Sequence, residues 1–253
     1  MLRIITGVLI VTVFISFVHS NAFAVGGISN SKIIVPSAET VPSSNFEIEP
    51  FFSFLSVDNS VDSKNYEAGL RFTKGILDNL EAGVNIIFFT VDDNDIEEAD
   101  YNFGDLLFGV KYRFYESHLF SLAYQGGFTV PTSSTDTNWV FEPGGLIFTK
   151  NITDKLSIDA DGVFGFDEEE NVFVTSNLGI GYYITDNLQT VFEMNYLYEN
   201  PDNGESSNIL SLTTGFTANL NSFTTLIIGF SWDVVSENAD DAFLFTSALT
   251  LLF

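Results

Sequence analysis

Four groups of residues in this sequence have the types and spacing to do chemistry. Asp159 and Asp161 lie two apart, so on a strand they share one face and could divide acid and base roles. His118 could act as a base, but it follows the short polar break Glu116-Ser117 and so falls at an element's end. No cysteine and no Gly-x-Ser-x-Gly elbow supplies a nucleophile beside it. Asp92, Asp93, Asp95, Glu97, Glu98 and Asp100 offer the oxygens that calcium favours. Ile96 stands at a ligand position there and no glycine turns the loop, so a solvated charge run is expected. Asp167 to Glu170 reads the same way. No catalysis, metal or cofactor is expected. The fourth group is larger: Glu47, Glu49, Glu67, Arg71, Glu81, Lys111, Arg113, Asp159, Asp161, Glu193 and Asp233. Each stands in a run where polar and apolar residues alternate, so what these charges do depends on what positions them.

The positioning elements are strands. Leu226, Ile228, Phe230 and Trp232 alternate with Ile227, Gly229, Ser231 and Asp233. Leu106, Phe108, Val110, Tyr112 and Phe114 alternate with Asp105, Leu107, Gly109, Lys111 and Arg113. A period of two belongs to a strand and not to a helix. Runs of this kind recur about twelve times between residues 45 and 253. Tight polar breaks such as Leu77-Asp78-Asn79 and Thr185-Asp186 alternate with longer, often acidic ones. An even strand number with short turns on one side and long loops on the other predicts an all-β fold, a transmembrane up-and-down antiparallel barrel of about 12 strands. A soluble sandwich would be charged outside. Here one face is oily, while the other carries Gly, Ser, Thr, Asn and the eleven charges, so the wet face turns inward. Pro50 and Pro143 lie inside two of the runs and predict a bulge or a strand end at each.

The flanks agree. Arg3, the apolar run Ile4 to Val18 and Ala22-Phe23-Ala24 predict a cleavable secretory signal over 1–24. Residues 25–44 are expected to form a periplasmic N-terminal segment, and 45–253 the barrel. Ala242 to Phe253 ends on an aromatic residue, with Leu251 and Leu249 on the same face; this is the expected address for the barrel-assembly machinery. A formal net charge of −25 excludes nucleic acid as a partner. Outer-membrane lipid and lipopolysaccharide, the assembly machinery and a small-molecule solute are the expected partners, in a Gram-negative cell outer membrane.

The inward charges admit two readings. They filter solutes in an open lumen, or they form an ion-pair network that fills a narrow one. Arg71, Lys111 and Arg113, on the second and fourth strands, could line one wall as a basic cluster.

Phe103-Gly104-Asp105-Leu106-Leu107-Phe108-Gly109-Val110-Lys111-Tyr112-Arg113-Phe114, followed by Gly126-Gly127-Phe128-Thr129-Val130-Pro131-Thr132, resembles the outer-membrane family labelled MetA-pathway of phenol degradation. Ser133 replaces the glycine that ends that family's second motif. The resemblance implies a passive channel or transporter for small solutes, hydrophobic or aromatic compounds among them; it carries over no binding residues. A plugged structural or surface-binding barrel is the alternative. Lumen continuity separates the two: a through-path favours transport, and closure by side chains or by Val25 to Ser44 favours the plug.

Overall fold

The computed structural model describes residues 25–30, 32–58, 63–93, 100–132, 138–202 and 204–253, with backbone only for 89–93 and 100–102. Its strands are β1 (Phe46–Asp58), β2 (Ser63–Leu77), β3 (Leu80–Asp93), β4 (Asp100–Asn102), β5 (Leu106–Glu116), β6 (Ser121–Val130), β7 (Val140–Asn151), β8 (Leu156–Asp167), β9 (Val172–Tyr183), β10 (Leu188–Asn200), β11 (Ser207–Asn221), β12 (Thr224–Glu237) and β13 (Asp241–Leu252). Each pairs antiparallel with its neighbours, and β1 closes on β13 from Glu47↔Leu252 to Asp58↔Asp241. The fourth wall position is shared: β4 and β5 both pair with β3, separated by a break at 103–105, where Gly104 N–H donates to Ile87 O at 3.1 Å. The barrel therefore has twelve walls, as the alternation predicts.

Sequence alternation becomes an inside and an outside. Phe72, Phe88, Leu146, Ile180, Phe192 and Phe230 are exposed on the outer face, while Thr73, Glu81, Lys111, Gln125, Glu193 and Thr213 are wholly buried on the inner one. An apolar exterior needs hydrocarbon around it, and hydrocarbon tolerates a sheet only when no backbone edge is left unpaired. Closure meets that requirement, and the barrel sits in the outer membrane.

The two prolines behave differently. Around Pro143 the register shifts on both sides, between Phe141 and Gly144 against β8 and between Gln125 and Gly127 against β6, which is a bulge. Pro50 departs from expectation. It stays in register with Leu70 of β2, with no bulge and no strand end, and the β13 ladder simply passes from Ile48↔Leu251 to Phe51↔Ala248. The missing N–H is absorbed by leaving rungs unmade on one side only.

Phe253 locks the seam. Its N–H donates to Phe46 O at 2.9 Å, Phe46 N–H returns a bond at 3.0 Å, and the two rings stack at 5.1 Å. Phe253→Asp puts a charge where two rings meet in lipid. It is expected to lower the heat-modifiable barrel recovered from outer membranes; unchanged recovery would remove Phe253 from any assembly role.

Candidate functional site

The lumen holds a second structure built from the chain's own N-terminal segment. Residues 25–30 and 32–42, expected beneath the barrel, run inside it, and Val25, Ile28, Lys32, Ile33, Ile34, Val35, Ala38 and Val41 are all buried there. The physical reason is that this stretch is apolar and uncharged apart from Lys32 and Glu39, while the inner wall offers both apolar seats and hydrogen-bond acceptors. Val25, Ile28 and Ala38 pack with Ala123, Ile147 and Val163 of the wall. Ile33 and Ile34 pack with Val191, Ile227 and Ala248.

A segment without secondary structure still needs partners for its backbone, and wall carboxylates supply them. Glu193, wholly buried, accepts the consecutive N–H groups of Ile33, Ile34 and Val35 at 3.0–3.2 Å. Glu81 accepts Ser29 N–H at 2.8 Å, the Ser29 hydroxyl at 2.8 Å and Val41 N–H at 2.6 Å. Lys111 pairs with Glu81 at 3.1 Å and donates to Ser29 O and Ser37 O at 3.0 and 3.1 Å. Lys32 reaches Asp159, its buried ion-pair partner, and Ser157 Oγ. Asp159 also accepts from Thr149 Oγ1 at 2.5 Å, and that oxygen accepts Ala38 N–H at 2.8 Å.

Inner-face glycines make the room. A Cβ on Gly179 would meet Val35 Cβ at 3.2 Å, one on Gly215 would meet Ile33 Cδ1 at 2.8 Å, and one on Gly127 would meet Val25 Cγ1 at 2.6 Å. Gly27 itself bends at φ +81°, a conformation few L residues adopt. The segment leaves the lumen through a turn at Pro42–Asn45, with Asn45 N–H on Pro42 O at 3.0 Å and Ser44 at φ +74°. Outside the wall, the Ser43 hydroxyl and N–H both donate to the Asp78 carboxylate, which holds its pKa below the ordinary value.

The eleven charges thus divide. Glu81, Lys111, Asp159 and Glu193 grip the segment. Asp161 belongs to a polar belt: Gln125 Nε2 and Asn177 Nδ2 donate to it, Asn195 donates to Asn177, and Thr213 bonds Asn195 and Ser231. Glu47 and Glu49 face Arg71 at 3.7 and 2.8 Å. Glu67 lies on the same inner face of β2, opposite Ser53. Asp233 accepts the Ser211 hydroxyl at 2.6 Å and Ala242 N–H at 2.9 Å. Arg113 leaves the expected basic cluster: it turns to Glu116 at 3.1 Å and Asp78 O at 3.0 Å, at the turn end of the barrel. The three cations form no single wall, because each has a different carboxylate. Most of the acidic run 92–100, with its calcium reading, lies outside the described residues. Sequence reasoning missed Lys32, whose partner lies 127 residues away. The available signal was glycine recurring on the wet face of the strands, as at 83, 109, 127, 179, 215 and 229.

The family described as Putative MetA-pathway of phenol degradation matches residues 43–247. The COG4313 outer membrane channel from Pseudomonas putida F1 is similar over 85% of this chain and 98% of its own, with TM-score 0.69 and 13% identity. The β domain of the Bordetella autotransporter BrkA is similar over 83% and 99%, with TM-score 0.58 and 11% identity. The KdgM porin in complex with disordered oligogalacturonate is similar over 82% and 99%, with TM-score 0.52 and 10% identity. At such identities the likeness is one of fold. No curated protein matches the chain.

Proposed function

The chain belongs to the Putative MetA-pathway of phenol degradation family, and from that membership we propose that it is a passive channel for small solutes, apolar and aromatic ones included. The observation that carries the reading is an apolar lining in the loop-side half of the lumen. Val57, Ile87, Val140, Leu197 and Ile209 are buried on the inner face, toward the loop ends of their strands. Phe51 lies across Gly69 and Phe173 across Gly165, so two rings also face inward. Polar solutes alone gain nothing from such a lining, whereas apolar ones shed water against it.

The seated segment closes the turn-side half, so a bulky solute passes only when residues 25–42 shift or leave. The same seat is what a permanently plugged barrel would have, and that second reading rests on it. Planar bilayers separate the two. The mature chain is expected to conduct weakly and a variant lacking residues 26–40 severalfold more, with faster entry of a neutral aromatic probe into liposomes. If neither protein conducts although both are heat-modifiable, the barrel is a plugged structural one.

A further inference from the structure

The first residues of the segment cross the wall along one line of paired residues. Gly27 O lies against Gly83 of β3, Gly26 O lies against Gly109 of β5, and a Cβ on Gly127 of β6 would meet Val25 Cγ1 at 2.6 Å. Gly83 pairs with Gly109, Gly109 with Gly127, and Gly127 with Glu142 of β7. Followed back from Gly27 to Val25, the chain steps strand by strand toward Glu142. The same Cβ on Gly127 would stand 3.4 Å from Glu142 Oε2, so Val25 and this carboxylate flank one glycine.

Glu142 is 9% exposed. The other carboxylates that face the segment have partners: Glu81 holds Lys111, Asp159 holds Lys32, and Glu193 holds backbone N–H groups. Among the described residues, nothing donates a hydrogen bond to the Glu142 side chain, and no Lys or Arg pairs with it. Buried carboxylates are ordinarily paired, so this one lacks a cation.

We propose that the missing cation is the α-ammonium of Val25, created when the signal over 1–24 is removed, and that this processing locks the segment in the lumen. As the Ala24–Val25 amide bond breaks, water gives its hydroxyl to the Ala24 carbonyl carbon and its proton to the Val25 nitrogen. Near neutral pH the new acid ionises and the new amine is protonated. Position 25 thus changes from a neutral amide to a charge, on a residue only 2% exposed. Two buried charges that are each costly alone offset one another when paired, and removing either partner exposes the full penalty of the other. The inference concerns the seat and holds whether or not the barrel conducts.

The full precursor, exported and then purified from outer membranes, supplies the mature chain for the test. Its intact mass is expected to begin at Val25. Glu142→Gln keeps the size of the side chain and is expected to lower the heat-modification midpoint by several degrees. A glycine inserted between Ala24 and Val25 carries the ammonium about 3.8 Å further along the chain and should lower the midpoint similarly. In that longer chain Glu142→Gln should add little. Equal losses from Glu142→Gln in both chains would mean that the carboxylate acts without the ammonium, and would overturn the proposal. A mature chain that begins at another residue, or a Glu142→Gln midpoint equal to that of wild type, would overturn it too.

Discussion

Lys32→Glu is expected to unseat the segment. The Lys32 ammonium and the Asp159 carboxylate are both about 2% exposed, so neither has water to fall back on once its partner is lost. Breaking a buried pair by removing one partner costs roughly 3–5 kcal/mol, and reversal adds repulsion to that loss. At about 1.4 kcal/mol per tenfold, the equilibrium constant for seating should fall by roughly two to three and a half orders of magnitude. Two readings follow: conductance close to that of the variant lacking residues 26–40, and a lower temperature for heat-modification. Combining Lys32→Glu with Asp159→Lys restores opposite charges in the same place and should recover much of both. Rescue is the informative arm, because Asp159→Lys alone should be as damaging as Lys32→Glu. If Lys32→Glu leaves conductance and heat-modification unchanged, the ion pair does not hold the segment.

Glu81→Ala is expected to be the most destabilising single change in the wall. Glu81 is wholly buried and receives Ser29 N–H, the Ser29 hydroxyl, Val41 N–H and the Lys111 ammonium. Alanine leaves the three neutral donors without an acceptor at about 1–3 kcal/mol each, and Lys111 keeps a buried charge with only carbonyl and hydroxyl oxygens around it. Glu81→Gln, which keeps one acceptor oxygen, should fall between. Glu116→Ala is the control: its partner Arg113 is shared with Asp78 O, Glu116 is mostly exposed, and such pairs contribute under about 1 kcal/mol. Heat-modification midpoints should rank wild type and Glu116→Ala highest, then Glu81→Gln, then Glu81→Ala. Equal midpoints for Glu81→Ala and Glu116→Ala would mean that Glu81 has no structural grip on the segment.

The barrel was legible because alternation is local. Leu226 to Asp233 states its own two faces, and the same pattern in each run fixes strand, inside and outside without any distant information. The interrupted fourth wall was not legible, since Gly104 on Ile87 O is a contact between strands. Nor was the state of Pro50, which depends on which neighbour its missing N–H faces. The luminal segment was hidden for a stronger reason. Residues 25–42 carry no period, because their backbone groups bond to carboxylates 40 to 160 residues away and not to a ladder. The same carboxylates look, in sequence, like charges lining an open pore. Glu81 and Glu193 are buried against the segment, and only the structure shows what they hold.

The chain has no cysteine, so a single engineered disulfide can report the position of the segment. With Val35→Cys and Gly179→Cys in one chain, the two Cβ atoms would stand about 3.2 Å apart, so a shift of a few tenths of an ångström brings them to the roughly 3.5 Å at which disulfides begin. Oxidation of the folded barrel in outer membranes should join them, giving a cross-linked peptide pair in the digest and a conductance that reduction raises. A free thiol at position 35 that reacts fully with an impermeant maleimide in the folded barrel, with no cross-linked peptide, would contradict a segment seated in the lumen.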